Sequence, residues 1–287
     1  MKQLVLITGA AGQLGKVMAE QLVPRHEVVS LGRAELDVTN GAAALAAVTA
    51  ICPDIIVNCA AYTNVDGAET DPAAALAANA WGVKTLARAA ADINAALVHF
   101  STDFVFDGNA DRPYREEDLP NPRGTYAVSK LLGEWFATEA PTWYVLRVES
   151  LFGGPLAKSS IDRILGNLES DREVVAFSDR TVSPSYVEDV VQATSALIEA
   201  TAPSGLYHCV NTGWTTWSDL ARELATIVCK PDAPIRDITM TEAGLRAPRP
   251  KFAALSNDKL VGRGIAMPTW QSALRRYVAS RTSASNL

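Results

Sequence analysis

The chain has 287 residues, with 26 Lys and Arg against 32 Asp and Glu and a formal net charge of −6. That is long enough for one large α/β domain with an appended lobe, and the balanced, unclustered charge argues against a nucleic-acid partner. The first apolar run, Leu4 to Ile7, is too short for a secretion signal and no apolar stretch reaches membrane-spanning length, so a cytoplasmic protein with no membrane partner is expected.

In chain order, the apolar runs Leu4–Thr8, His26–Leu31, Asp54–Asn58, Ala96–Phe100 and Trp143–Arg147 alternate with amphipathic stretches. Repeats of this kind build a parallel sheet covered by helices on both faces. Thr70-Asp71-Pro72 supplies an N-cap and an early proline, and Leu76, Ala80, Val83, Leu86 or Ala87, and Ala90 then recur at helical spacing. After Arg147 the rhythm breaks at Gly153-Gly154-Pro155. A helix over about 160–168, a strand Val174–Phe177 and a helix over 189–200 packing back on the sheet follow. Beyond them come the run Leu206–Val210, a helix around 218–228, a Pro-rich loop over 231–250, a last helix around 270–278, and a polar tail over 281–287 expected to fray. The fold expected is α/β, a Rossmann-type doubly wound parallel sheet with a smaller C-terminal substrate-binding lobe. Residues 1–150 are expected to form its sheet domain, completed by about 178–202, and 151–177 with 203–283 to form the lobe.

Cys52, Cys59, Cys209 and Cys229 lack C-x-x-C spacing, and buried reduced thiols are the expectation, with Cys52 and Cys59 in core helix and strand. His26, His99 and His208 are scattered without partners at ligand spacing, so no metal is expected.

The chemistry-bearing residues begin at Thr8-Gly9-Ala10-Ala11-Gly12-Gln13-Leu14-Gly15, between the first strand and the first helix. Glycines there permit a tight turn and close approach to a pyrophosphate, which the free N–H groups of the helix terminus attract. At the end of the second strand stands Arg33, a residue suited to a 2′-phosphate, so NADPH is expected over NADH, with NADH still possible. Asp37 and Val38 follow and either line the adenine or cap the next helix. Tyr126 and Lys130 are spaced i, i+4 in Tyr-Ala-Val-Ser-Lys, which puts both on one helix face. An ammonium beside a phenol lowers its pKa, so the tyrosine can exchange a proton at neutral pH. Ser101-Thr102-Asp103 ends the fourth strand, where open α/β sheets bind ligands, and places the Thr102 hydroxyl for a substrate carbonyl.

These residues resemble the extended short-chain dehydrogenase/reductases and, within them, the dTDP-4-dehydrorhamnose reductase family. The matching pieces are Gly12-Gln-Leu-Gly15, Val57–Asp66, Ser101–Gly108, Tyr126–Glu134, Gly205–His208, and Arg249-Pro250 with Ala254-Leu255. The resemblance implies an NAD(P)-dependent oxidoreductase that reduces the 4-keto group of a small-molecule nucleotide sugar. It implies Tyr126 as proton donor, Lys130 on the nicotinamide ribose and the tyrosine, and Thr102 on the keto oxygen. Gly9, Gly12, Gln13, Leu14 and Gly15 then face the pyrophosphate, Ala60, Ala61, Tyr62 and Thr63 line the cofactor channel, and Thr102, Asp103, Phe104, Tyr126 and Ser150 contact substrate. Some relatives require magnesium through acidic residues that this chain does not reveal, and a homodimer is among the open assemblies.

Two segments depart from the family pattern. Arg147-Val-Glu-Ser150 stands where Arg-Thr-Ser-Trp is common, and Asp179-Arg-Thr-Val-Ser-Pro-Ser185 matches Asp-Gln-x-x-x-Pro-Thr only in part. Both lie where the sugar is expected. A nucleotide-sugar dehydratase needs an acidic pair after the threonine, and Phe104 occupies its second position. The alternatives kept are another nucleotide-sugar reductase or epimerase, and a non-catalytic NADP-binding regulatory subunit like the related β subunit of methionine adenosyltransferase.

Overall fold

The structure, a computed structural model, describes residues 2–285. The first half runs β1 (Leu4–Thr8), α1 (Gln13–Leu22), β2 (Glu27–Leu31), α2 (Gly41–Ile51), β3 (Ile55–Asn58), α3 (Val65–Ala68) and α4 (Pro72–Leu76). It continues through a π-helical turn (Ala77–Trp81) to α5 (Gly82–Ile93), β4 (Ala96–Thr102), a 3-10 turn (Asp103–Val105), α6 (Thr125–Ala137) and β5 (Thr142–Val148). The second half holds β6 (Leu151–Phe152), α7 (Ser160–Glu169), β7 (Val174–Phe177), β8 (Thr181–Val182), β9 (Ser185–Tyr186) and α8 (Val187–Glu199). After these come β10 (Gly205–His208), β11 (Thr215–Thr216), α9 (Trp217–Ile227), β12 (Ile235–Ile238), α10 (Asp258–Val261) and α11 (Trp270–Ser285).

Among the described residues, six parallel strands form the main sheet in the order β10-β5-β4-β3-β1-β2. Its alternating side chains feed two cores. Val5, Ile7, Ile55 and Val57 meet α1 and α8, whereas Leu6, Ile56, Leu97 and Val145 meet α2, α5 and α6. Strand residues buried on both faces explain why the runs are continuously apolar. The chain crosses from β2 over β1 to β3, so the sheet's switch point lies between β1 and β3, where such folds open a crevice.

A separate core of Ile161, Leu165, Val174, Trp217, Leu220, Trp270 and Leu274 unites α7, α9 and α11 with β7. Two features escape the sequence pattern. The segment 231–250, read as loop, contains β12, which pairs in parallel with β7. The strand Gly205–His208, assigned by sequence to the lobe, is the sixth strand of the main sheet.

Two expectations need correction. Cys52 and Cys229 are exposed, because each sits in the left-handed conformation where α2 and α9 end (φ 49° and 57°), which turns the side chain outward. Cys209 is buried and Cys59 partly so. The tail does not fray at Arg281: α11 continues to Ser285, and Arg281 pairs with Asp162 and Glu169 at 3.3 Å. Positions 286 and 287 lie outside the described residues. No described helix is long and apolar enough to cross a membrane.

Candidate active site

The glycine loop is shaped by close packing. Gly9 has φ +65°, and a Cβ there would stand 2.5 Å from the backbone nitrogen of Ala60, while one on Gly15 would stand 2.4 Å from the Gly9 carbonyl oxygen. Only glycine lets β1 turn into α1 against the end of β3. The first α1 ladder bond to a cap residue runs from Lys16 N–H to the Gly12 carbonyl, so the N–H groups of Gln13, Leu14 and Gly15 precede the ladder and face outward for an anion.

A cleft of about 520 Å³ opens above this loop and gathers Gly9, Gly12, Arg33, Asp37, Val38, Ala60, Ala61, Tyr62 and Thr63. Leu36, Thr39, Cys59, Asn64 and Ala74, not singled out in the sequence, line it as well. The shape, glycines and free N–H groups fit a dinucleotide. Arg33 is exposed at its rim and contacts Asp37 at 3.2 Å. Asp37 is held below the usual carboxylate range mainly by the backbone N–H and hydroxyl of Thr39. The cap of α2 is Asn40, so Asp37 lines the cleft and does not cap that helix. The Leu14 side chain is in the sheet core, leaving its backbone N–H to face the cleft.

A second cavity of about 420 Å³ adjoins the first through Thr63 and is lined by Gln13, Thr102, Asp103, Phe104, Tyr126 and Ser150. It also includes Ser159, Arg180, Trp217 and Arg249 from the second half of the chain. Gln13 spans the gap between halves, donating through Nε2 to the Gly153 carbonyl at 2.8 Å. Ser150 has φ 45°, which turns the chain out of β5 at the cavity wall. Tyr126 packs edge-on against Phe104, with ring centres 5.5 Å apart.

The Tyr126 hydroxyl lies beside Thr102, whose Oγ1 donates to Asp103 Oδ1 at 2.9 Å. Burial and then the charge of Asp103 push the phenol up, against the nearby Thr102 hydroxyl. Lys130 is itself buried, and its Nζ donates to the Phe100 carbonyl at 2.5 Å and lies 3.5 Å from His99 Nε2. Burial lowers it to about 8, with Glu134 acting in the opposite direction. The expected lowering of the phenol by the lysine is therefore absent, because the ammonium is turned to β4 and Asp103 dominates the field at the hydroxyl. A neutral phenol is the form that donates a proton.

His99, which the sequence left without a partner, joins a buried chain. Thr8 Oγ1 donates to Asn58 Oδ1 (2.7 Å), and Asn58 Nδ2 reaches His99 Nδ1 (3.2 Å). Burial, with Lys130 adding to it, keeps the imidazole neutral. Asn79, in the π-helical turn, donates to the Tyr62 carbonyl and Ser129 Oγ at 3.0 Å and accepts from Tyr62 N–H at 2.9 Å. It thus ties the cofactor wall to the helix carrying Tyr126. Arg147 bonds Glu134 at 2.7 and 2.8 Å, a buried brace between β5 and α6.

The two departing segments meet. Glu149 and Arg180, 1% and 8% exposed, converge with Asp103, with Arg180 Nη2 3.9 Å from Asp103 Oδ2; Asp103 and Arg180 line the cavity and Glu149 lies behind them. No metal-holding group of three His, Cys, Asp or Glu occurs among the described residues.

A parallel sheet with a glycine loop at its switch point, and a Thr, Tyr and Lys set at the ends of β4 and on α6, defines the extended short-chain dehydrogenase/reductase class. Within that class, the chain belongs to the RmlD substrate binding domain family, whose model matches residues 1–283. It is 37% identical over 280 residues to a dTDP-4-dehydrorhamnose reductase of Streptomyces griseus, covering 94% of this chain and 91% of that one. It is equally similar, 37% over 274 residues, to a probable dTDP-4,6-dihydroxy-2-methyloxan-3-one 4-ketoreductase of Streptomyces antibioticus, with 94% and 92% covered. Among solved structures it superposes with TM-score 0.92, at 32% identity, on dTDP-4-dehydrorhamnose reductase of Bacillus anthracis in complex with NADP, covering 98% of this chain and all of that one.

Proposed function

We propose that the chain is an NADPH-dependent reductase of the 4-keto group of a dTDP-linked deoxyhexose, with dTDP-4-dehydrorhamnose the first substrate to try. The observation that carries this reading is the adjoining pair of cavities, one with the glycine loop and the other lined by Thr102 and Tyr126, with Thr63 common to both. Both Streptomyces relatives are named for reduction at such a keto group, and the hydroxyl pattern of the ring separates the two names.

In this reading Gly9, Gly12 and the N–H groups of Gln13, Leu14 and Gly15 hold the pyrophosphate. Arg33 takes the 2′-phosphate, Asp37 and Val38 border the adenosine, and Ala60 to Thr63 form the channel wall. Nicotinamide, when bound, supplies hydride to the carbonyl carbon. The Thr102 hydroxyl, turning its one proton from Asp103 to the substrate, donates to the carbonyl oxygen as negative charge grows there, and Tyr126 delivers its proton to the same oxygen. Lys130 has three N–H donors, of which the Phe100 carbonyl and His99 Nε2 on β4 engage two, leaving one for a ribose hydroxyl. Asp103, Phe104 and Ser150 hold the sugar.

The test is oxidation of NADPH and of NADH by the full chain with dTDP-4-dehydrorhamnose, alongside cofactor titrations. Turnover with NADPH is expected. Tight NADPH binding without turnover of any 4-keto nucleotide sugar, together with stoichiometric co-purification with a larger enzyme, would favour the regulatory-subunit reading instead.

A further inference from the structure

Gln13 opens α1 and serves both cavities. Its backbone N–H precedes the helix ladder at the glycine loop, whereas its side chain lines the second cavity. The carboxamide is fixed at one end: Nε2 donates to the Gly153 carbonyl at 2.8 Å, across 140 residues of chain. Both anchors are firm, since Leu14 is locked in the sheet core and Gly153 follows β6, whose two residues pair with β9. The bond settles which amide atom points where, and Oε1 is the free end. It has no partner among the described residues, and it is not one of the buried side-chain atoms that go unmatched. On a half-buried side chain that lines the cavity, such an atom is open to whatever fills it.

A fixed, open acceptor is scarce in this cavity. The Arg180 and Arg249 guanidinium groups only donate. Asp103 gives one oxygen to Thr102 and buries the other. The Ser159 hydroxyl donates to the Asp162 carboxylate and accepts from the Asp162 N–H. A sugar hydroxyl that leaves water for such a place needs an acceptor for its proton. A carbonyl oxygen held in position beforehand meets that need without the cost of ordering a long side chain at binding. A phosphate, which brings acceptors alone, would meet Oε1 lone pair to lone pair, so the group that suits this atom is a hydroxyl.

We propose that Gln13 is a specificity-determining residue whose Oε1 accepts a hydrogen bond from a ring hydroxyl of the sugar, with the Gly153 carbonyl holding the amide in place. The inference rests on the reductase reading above. With the keto oxygen on Thr102 and Tyr126, the hydroxyls left on the ring of 4-dehydrorhamnose are those at C2 and C3, and Oε1 takes one of them. A single residue then meets both ligands, through its backbone N–H at the cofactor pyrophosphate and through its side chain at the sugar. Its position in the glycine loop gives the cofactor role in the sequence; the sugar role comes only from the fold, which brings Gly153 within reach of the amide.

The experiment compares kcat/KM of the full chain for dTDP-4-dehydrorhamnose and for its analogues lacking the C2 or the C3 hydroxyl. A site built around a substrate hydroxyl disfavours the analogue without it, and one neutral hydrogen bond corresponds to roughly 2–10-fold. The wild type should disfavour one analogue by at least that factor. Gln13→Met keeps the length of the side chain and removes both amide atoms. It should lose the same factor on the full sugar and on the analogue that retains the hydroxyl, and nothing on the analogue that lacks it. NADPH affinity should stay within about twofold of wild type, since the backbone N–H is untouched, and thermal unfolding shows that the variant is folded. Gln13→Asn, which keeps the amide but is a methylene short of Gly153, should give the same pattern and carries the comparison if the methionine variant is not folded. A wild type that treats the three sugars alike, or variants that lose equally on all three or on none, overturns the proposal alone. Failure of the wild type to reduce any of the three overturns the reaction and this proposal with it.

Discussion

At the Tyr126 hydroxyl, the partner that matters is not the lysine one turn away but the carboxylate beyond Thr102. Tyr126→Phe keeps the edge-on packing with Phe104 and removes only the proton, so kcat should fall about 10²–10⁴-fold while the NADPH dissociation constant stays within about twofold. Steady-state kinetics with parallel titrations decide this, and wild-type turnover by the phenylalanine variant ends the mechanism. Asp103 carries a different prediction. Burial raises it from the ordinary 3.8 to about 6, although Arg180 and Thr102 pull it down. The folded protein then binds a proton more tightly than the unfolded chain, so stability is lost as pH rises from about 4 through 6 and stays lost above. Two pKa units correspond to about 3 kcal/mol as an upper bound. Asp103→Asn should therefore unfold several degrees higher than wild type at pH 8, with the gain gone below pH 4, and should turn over more slowly. A thermal unfolding series across pH that shows no such convergence would remove the charge argument. Arg33, at the open rim, is simpler: Arg33→Ala should weaken NADPH about tenfold and leave NADH unchanged, as read by fluorescence titration.

Among the elements, the π-helical turn between α4 and α5 stands out because it is what brings Asn79 inward. Such single turns inside helices occur frequently at functional sites. Asn79 is buried and satisfies Tyr62 and Ser129 at once. Asn79→Leu should cost about 2–3 kcal/mol through the polar groups left unmatched and should weaken cofactor binding, since the Tyr62 wall loses its tie to α6. Chemical denaturation and NADPH titration measure the two effects; a variant with altered stability but unaltered cofactor affinity would separate the brace from the site. Elements of this sort show where sequence reading stops. The five strands of the first half and the helix opened by Asp71-Pro72 were legible because apolar period and capping are local signals. The π-helical turn was not, since Ala77–Trp81 has the same small-apolar pattern as its neighbours. Nor was β12, whose half-exposed residues Ile235–Ile238 give no apolar run. Within the site, the glycine loop, Thr102 and Tyr126 declare themselves by short spacing. Glu149 and Arg180 lie on separate segments and meet only through the fold, so the sequence could mark their segments as unusual without pairing them. His99 was invisible for the same reason.

For the whole molecule, buried or half-buried ion pairs fasten the second half to the first and α11 to α8. Arg249 bonds Asp66 at 2.7 and 3.1 Å, joining the segment before α10 to α3, and Arg249 holds the Asp66 carboxyl down at about 2. Arg276 of α11 forms a matching pair with the buried Asp189 of α8 at 2.6 Å. The cofactor half is not independent of this scaffold: Val187, Val190, Val191 and Leu197 of α8 cover one face of the sheet, and β10 completes its edge. A fragment ending at residue 150 should therefore lack cooperative unfolding by circular dichroism and should self-associate in size-exclusion chromatography. A monomeric, cooperatively unfolding fragment would contradict this. The same placement of β10 bears on synthesis. As the chain leaves the ribosome, β5 emerges with one edge unpaired, and its partner at Gly205–His208 follows only after α7, β7 and α8, about sixty residues later. Until then the nascent protein presents an open parallel edge and an uncovered apolar sheet face, a state that invites chaperone binding. The crevice at the glycine loop, though its lining is encoded between Gly9 and Ala78, therefore rests on a sheet that is not whole until β10 has emerged.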